Sequence, residues 1–360
     1  MRDIEFHNRE KEIKEIRAIL DRRPTLITFI YGPINSGKTE LINHVIEELP
    51  EEYVVFYINL RTKLLASYDD FIESLFEMEM ETDGASRKRK ETLAELVSSV
   101  TKVAGIPINK EFLDYVFKDN KPKNAFSYII KLFEEVRARG KQPVLVLDEL
   151  QKIGDVKVNG FLIYELFNFF IDLTKEKHLA HVFVATSDSL FLERVYNEAM
   201  LSGRCRYLLV DDFDGATTAA FLGGYGCTDD ETALAWEYCG GKPVCLVELI
   251  NQKLGGGVVK EKCEDIFKVR VSQLRDLLDL LGYVTPQVLL AGTEYLVERE
   301  NVVEILKDFV DRDVVSFEGY RPEKHFMVKK NILFLDPKEG TVRPQSRLDL
   351  LAVREVIAGV

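Results

Sequence analysis

The chain of 360 residues predicts a three-layer α/β domain built on a parallel sheet, followed by a helical domain and a winged-helix domain. Three observations carry this. An apolar β-branched segment, a glycine-rich loop and an amphipathic helix follow one another over residues 25–49. The run Pro143-Val144-Leu145-Val146-Leu147 is continuously apolar, as a parallel strand covered on both faces must be. Strand-like and helix-like patterns alternate to about residue 212, and helical spacing takes over beyond it. The expected boundaries are therefore 1–212, 213–258 and 259–360.

Taken in order, residues 9–20 place Ile13, Ile16 and Leu20 on one face of a first helix. A strand over residues 25–30 leads into the glycine loop, and Leu41, Ile42, Val45, Ile46 and Leu49 repeat at helical spacing after it. A second strand runs through residues 53–58. Residues 68–138 read as helical, with Phe71, Leu75, Phe126, Ile129, Phe133 and Val136 on apolar faces. The basic run at residues 87–90 inside this region reads as a solvated helix start. The strand ending at Leu147 comes next, then a helix over 161–175 and a strand over 181–185 that ends in Thr186-Ser187-Asp188. A fifth strand covers residues 206–210. Helical spacing from 214 to 254 is broken at Gly240-Gly241 and closed by a triple glycine at 255–257, which reads as a linker. Beyond it, Leu-rich helices precede short strand-like pieces at 314–317 and 332–335, a turn at 336–340 and a helix at 347–357. This is the order of a winged helix.

The loop Gly32-Pro33-Ile34-Asn35-Ser36-Gly37-Lys38-Thr39 matches G-x-x-x-x-G-K-[ST] between a strand and a helix. That arrangement lets backbone N–H groups wrap a phosphate at a helix N-terminus. Gly32, Pro33, Asn35, Ser36, Gly37, Lys38, Thr39 and Glu40 are the expected nucleotide-binding residues. Lys38 would reach the outer phosphates and the Thr39 hydroxyl would hold Mg²⁺. Hydrolysis needs a second acid for the metal and a group that orients water. Asp148, at its strand end, suits the metal, and Glu149 suits the base. A hydroxyl at Thr186 or Ser187 would lie beside the terminal phosphate, Ser187 being the residue assigned. Arg204 or Arg206 would supply a guanidinium, and Arg204 is taken as the catalytic one.

Composition narrows the field. The net charge of −12 argues against a protein that coats nucleic acid. No stretch has the roughly 18 apolar residues of a membrane helix, and the acidic N-terminus is unlike a secretion signal, so a cytoplasmic location is expected. Five cysteines without a C-x-x-C point to reduced, buried thiols, and the five histidines show no metal-ligand spacing.

Phe6-His7-Asn8-Arg9-Glu10, the glycine loop, residues 144–153 and 182–188, Gly203-Arg204 and Gly241-Lys242-Pro243 together resemble the archaeal ATPases of the STAND class, relatives of AAA+ and origin-recognition proteins. The resemblance spans about residues 4–260. It implies a P-loop NTPase of the ASCE/AAA+ type, with ATP or ADP and Mg²⁺ as ligands. It also implies that Arg9 lines the adenine side and that Pro243 contacts the base or ribose from the helical domain. Three activities are compatible: a nucleotide-driven conformational switch, an initiator-like ATPase whose winged helix binds DNA, and a small-molecule kinase. Glu149 directly after Asp148 favours water activation over the kinase. From residue 266 onward 14 Lys and Arg stand against 15 Asp and Glu, a balance that suits a protein partner or self-docking as well as DNA. An oligomer, in which Arg204 would act in cis or across subunits, is also expected.

Overall fold

The computed structural model describes residues 4–78, 101–108, 121–155, 161–198, 201–290, 293–317 and 321–359. The basic run at 87–90 lies outside them. In chain order the first domain contains α1 (Glu10–Leu20), β1 (Ile27–Tyr31), α2 (Lys38–Glu47), β2 (Tyr53–Asn59), α3 (Tyr68–Ser74), β3 (Phe76–Met78), β4 (Lys102–Ala104), β5 (Ile106–Ile108), α4 (Lys121–Ala138), β6 (Gln142–Asp148), α5 (Phe161–Ile171), β7 (His181–Thr186), α6 (Ser189–Glu198) and β8 (Cys205–Leu209).

Six of these strands form one parallel sheet in the order β4-β2-β6-β7-β1-β8. Parallel strands reach their neighbours through crossovers, so helices cover both faces and every residue of β1 and β7 is buried. Alternate residues feed two cores. Phe29, Leu145, Leu147, Val182 and Val184 join the side chains of α3–α6. Ile30, Val144, Val146, Phe183 and Ala185 join Ile16 and Leu20 of α1 and Ile42 and Val45 of α2. Each fully buried Leu or Ile in these layers contributes about 1.5–3 kcal/mol. β7 lies between the two strands that end at the glycine loop and at Asp148. The region 68–138, expected to be helical, also holds β3, β4 and β5; these three-residue strands are too short to show a period.

The chain continues as α7 (Gly215–Gly224), α8 (Asp229–Cys239), α9 (Pro243–Leu254) and α10 (Val259–Leu280). The first turns of α7 and α8 are fixed by their N-caps: Asp214 accepts from Thr217 N–H, and Thr228 and Glu231 form a reciprocal capping box. The triple glycine joins α9 to α10 in a tight turn. Val259 and Cys263 of α10 share a core with Leu246 and Ile250 of α9, while Val271, Leu274 and Leu278 enter the next core. A single helix thus belongs to both cores. Cys239, Cys245 and Cys263 meet in the first, all as free thiols.

Then follow β9 (Gln287–Leu290) and β10 (Thr293–Leu296), an antiparallel pair that the sequence pattern did not reveal, α11 (Arg299–Lys307), β11 (Val315–Ser316), α12 (Pro322–Lys329), β12 (Leu333–Asp336), β13 (Thr341–Pro344) and α13 (Arg347–Ala358). β11, β13 and β12 make an antiparallel sheet in that order, the part expected to be a winged helix. Helix α12, between β11 and β12, is buried from Glu323 to Val328 and packs on α6, α11 and β9. Among the described residues no helix is long and apolar enough to cross a membrane.

Candidate functional site

The glycine loop runs from the C-terminal end of β1 to the N-terminus of α2. Gly32 is required by close approach: a Cβ there would lie 2.1 Å from the Val210 carbonyl oxygen. Gly37 is the N-cap of α2, Ser36 is buried, and Asn35 and Glu40 are exposed. Lys38 is buried, and its Nζ donates to the carbonyls of Gly32 (3.1 Å) and Pro33 (2.8 Å). Burial, and then the positive charge of Lys242, pull its pKa down to about 8 against the opposing pull of Glu149, Asp148 and Asp212.

Two acids stand beside the loop because β6 ends there. Asp148 is 2 % exposed, and its Oδ2 accepts from Thr39 Oγ1 at 2.8 Å and from Tyr57 Oη at 2.8 Å. Tyr57 lies on β2, in register beside Val146. Burial and the Asp148 carboxylate push its phenol pKa up, so it remains a donor. Glu149 adopts φ 61°, a left-handed conformation uncommon outside glycine, held by its N–H bond to Asp148 Oδ1 at 3.0 Å. Its Oε1 accepts from Arg61 Nη2 at 2.5 Å and its Oε2 from Gln151 Nε2 at 2.5 Å. Gln151 Nε2 also donates to Ser187 Oγ at 3.2 Å, so the end of β7 is linked to Glu149 through Ser187. Thr186 instead accepts from Asp188 N–H and shapes its own turn.

Other expected residues divide between contact and separation. Arg9 is buried, donates to Ser36 O at 2.7 Å and lies over the Phe213 ring, 4.6 Å from its centroid. Pro243 opens α9, where it occupies the first turn without losing a needed donor. The Lys242 ammonium just before it reaches Ile34 O at 3.0 Å and Asp212 Oδ1 at 2.9 Å. Arg204, in contrast, sits at the opposite end of the sheet. Its carbonyl accepts from Ile27 N–H at the start of β1, and Gly32 is five residues further on, about 17 Å at the usual strand rise. The expected catalytic arginine is therefore not placed at its own chain's loop. Arg204 precedes β8, and only the C-terminal ends of parallel strands meet the loop.

Tyr57, Arg61, Gln151, Lys242 and Gln345 are site residues that the motifs did not flag. Lys242 was adjacent to a flagged proline. The others lie on neighbouring elements whose register a sequence does not display. Two arginines near the C-terminal hairpin have intramolecular partners: Arg343 pairs with Asp211 and stacks on Phe334, and Arg347 donates to Glu237 O at 3.5 Å.

The chain is similar to proteins described as ATP-binding. A family model described as an ATPase domain predominantly from Archaea matches residues 6–249, and a model described as the C-terminal domain of an uncharacterized ATP-binding protein matches residues 260–357. An ATP-binding protein of Methanocaldococcus jannaschii is 48% identical over 98% of both chains, and one of Pyrococcus abyssi is 47% identical over 98% of both. Among solved structures, a Walker-type ATPase of Pyrococcus abyssi superposes with a TM-score of 0.64 at 16% identity, covering 97% of this chain and 96% of that one. The ORC2 protein of Aeropyrum pernix, in ADPNP and ADP complexes, gives 0.50 at 11% identity, covering 99% and 94%. At such identities the two structures bear on the fold alone.

Proposed function

Because the chain belongs to the ATPase family described as predominantly archaeal, we propose that it binds ATP with Mg²⁺ at residues 32–39 and hydrolyses it, acting as a nucleotide-driven conformational switch of the STAND type. The observation that carries the reading is the 2.8 Å contact between Thr39 and Asp148, with Glu149 next to it. Two oxygen donors from the loop and the second strand end, beside a buried lysine, fit a hard cation and a polyphosphate. Thr39 and Asp148 would hold Mg²⁺, which when bound neutralises charge on the phosphates. Lys38 and the loop amides would bind the phosphates, and Glu149 would take a proton from water once an oxygen is released from Arg61 or Gln151. Ser187 would report the terminal phosphate to Glu149 through Gln151.

The contact of Lys242 with Ile34 O supports a switch, since it ties the helical segment after β8 to the phosphate loop. The winged-helix reading of the C-terminal segment rests on the sheet order β11-β13-β12 and on α12 between β11 and β12. Arg343 and Arg347 already have intramolecular contacts, which favours self-docking over DNA. The test is phosphate release by the full chain with ATP, in Mg²⁺ and in excess chelator, alongside binding of a fluorescent ATP analogue. Turnover only with Mg²⁺, lost in Glu149→Gln with binding retained, is the expected result. A wild-type chain that binds no nucleotide would sink the proposal. Mass in solution with ADP and with a non-hydrolysable analogue tests assembly, the only arrangement in which Arg204 would reach a loop.

A further inference from the structure

Ile34, in the middle of the phosphate loop, is held on both sides by residues from outside the α/β domain. Its carbonyl accepts from Lys242 Nζ at 3.0 Å, and its N–H donates to Gln345 Oε1 at 3.0 Å. Gln345 follows β13 and is 2 % exposed. Its Nε2 donates to Leu333 O at 2.9 Å, and its own N–H donates to Ile332 O at 3.1 Å. A carbonyl only accepts and an amide N–H only donates, so these partners fix which end of the carboxamide faces the loop. Gln345 thus presents an acceptor, in a buried setting, to one of the amides of the phosphate loop.

The rest of the hairpin is anchored around the same loop. Phe334 is 1 % exposed within the core of the sheet and stacks on Tyr31, the residue before Gly32. Tyr31 Oη donates to Asp336 Oδ1 at 2.9 Å. Arg343 pairs with Asp211, next to the Val210 carbonyl against which Gly32 packs. The C-terminal domain is therefore in direct contact with the loop and with the residues that flank it.

We infer that Gln345 is a positioning residue through which the C-terminal domain tunes nucleoside triphosphate binding, by holding an amide donor of the phosphate loop. Loop amides are the groups that wrap a phosphate, so the carboxamide oxygen and a phosphate oxygen compete for Ile34 N–H. Whatever shifts the hairpin alters nucleotide affinity, and nucleotide shifts the hairpin by the same factor.

The inference rests on the nucleotide-binding reading above. Its test uses the full chain and equilibrium binding of a fluorescent ATP analogue to wild type, Gln345→Met, Arg343→Gln, the double variant and Lys38→Ala. Methionine keeps the reach of glutamine without its acceptor. Gln345→Met is expected to bind roughly fivefold more tightly. Arg343→Gln, which loosens the hairpin without touching Ile34, shifts affinity in the same direction, and the double variant gains less than the product of the two. Damage to a merely structural residue would weaken binding. Unchanged or weaker binding in Gln345→Met, with Lys38→Ala deficient in binding, overturns the role of Gln345 alone. Wild-type binding in Lys38→Ala would instead remove the site on which it stands.

Discussion

Arg61 and Glu149 face each other across two strand ends, with Arg61 Nη2 2.5 Å from Glu149 Oε1. The other carboxylate oxygen accepts from Gln151, so both oxygens that would accept a proton from water are engaged. Arg61 is 64% exposed, so solvent screens the pair and its contribution to stability is at most about 1 kcal/mol. The ion pair therefore restrains Glu149 without being needed for folding.

Arg61→Ala is expected to raise basal ATP turnover severalfold with unchanged thermal stability. Glu149→Gln should lose about a hundredfold or more of turnover, the usual scale for a general base, while retaining nucleotide. Steady-state phosphate release checks both. Turnover in Arg61→Ala below wild type would mean that Arg61 assists the base instead of restraining it.

The lowered pKa of Lys38 gives a pH dependence with a definite sign. The folded value is about 8 against 10.5 in a free side chain. Between these values the unfolded chain holds more protons at Lys38 than the folded chain, so this group's contribution to stability rises with pH across that window. Nucleotide affinity runs the other way. The ammonium form binds phosphate and is lost as pH rises through about 8, so affinity falls by up to about tenfold per unit above it. Titration of binding from pH 7 to 9.5 should show that inflection, and Lys38→Arg, whose guanidinium does not titrate there, should not.

Tyr57 holds the carboxylate of Asp148, the acid proposed to bind Mg²⁺. Its hydroxyl and that of Thr39 bond the same oxygen of Asp148, leaving the other free of side-chain hydroxyls. Tyr57→Phe should raise the Mg²⁺ concentration for half-maximal turnover by about tenfold, the lower end for removal of a group that orients a metal ligand. The Mg²⁺ dependence of phosphate release measures this. An unchanged dependence would leave Tyr57 a packing residue.

The parts legible in sequence are those with local signals. The glycine loop announces itself because its spacing is set by one phosphate and one helix start. β1, β6 and β7 are legible because parallel strands covered on both faces are continuously apolar. The hairpin β9–β10 is not legible: Leu289, Tyr295 and Leu296 are exposed, so its apolar residues follow no buried stripe. The distance of Arg204 from its own chain's loop is not legible for a topological reason. Proximity to a strand does not say which end of it, and the sheet direction sends Arg204 away from Gly32. Gln345 is illegible because its partner Ile34 is 311 residues distant and the bond is to backbone, which leaves no mark on residue type.

At Gly241, just before α9, the chain meets the segment that follows β8. Gly241 O accepts from Phe213 N–H at 2.9 Å, and a Cβ at Gly241 would lie 1.8 Å from Phe213 O. Backbone does not yield as a flexible side chain does, so Gly241→Ala must push α9 away from Phe213. That displacement carries Lys242 off Ile34 O and Asp212, and it disturbs the ring on which Arg9 lies. The cost in stability is about 3 kcal/mol, the upper part of the range for forced overpacking. Gly223→Ala is the matched control. It lies in α7 with nothing within 4 Å of a built Cβ, so alanine there should be neutral or stabilise by up to about 1 kcal/mol through helix propensity. Thermal unfolding of both variants, with and without nucleotide, separates the two effects. Gly241→Ala should unfold at lower temperature and gain less from added ATP than wild type, because the lysine that reaches the loop has moved. Equal stabilisation by ATP in Gly241→Ala and wild type would show that Lys242 does not contribute to the nucleotide site.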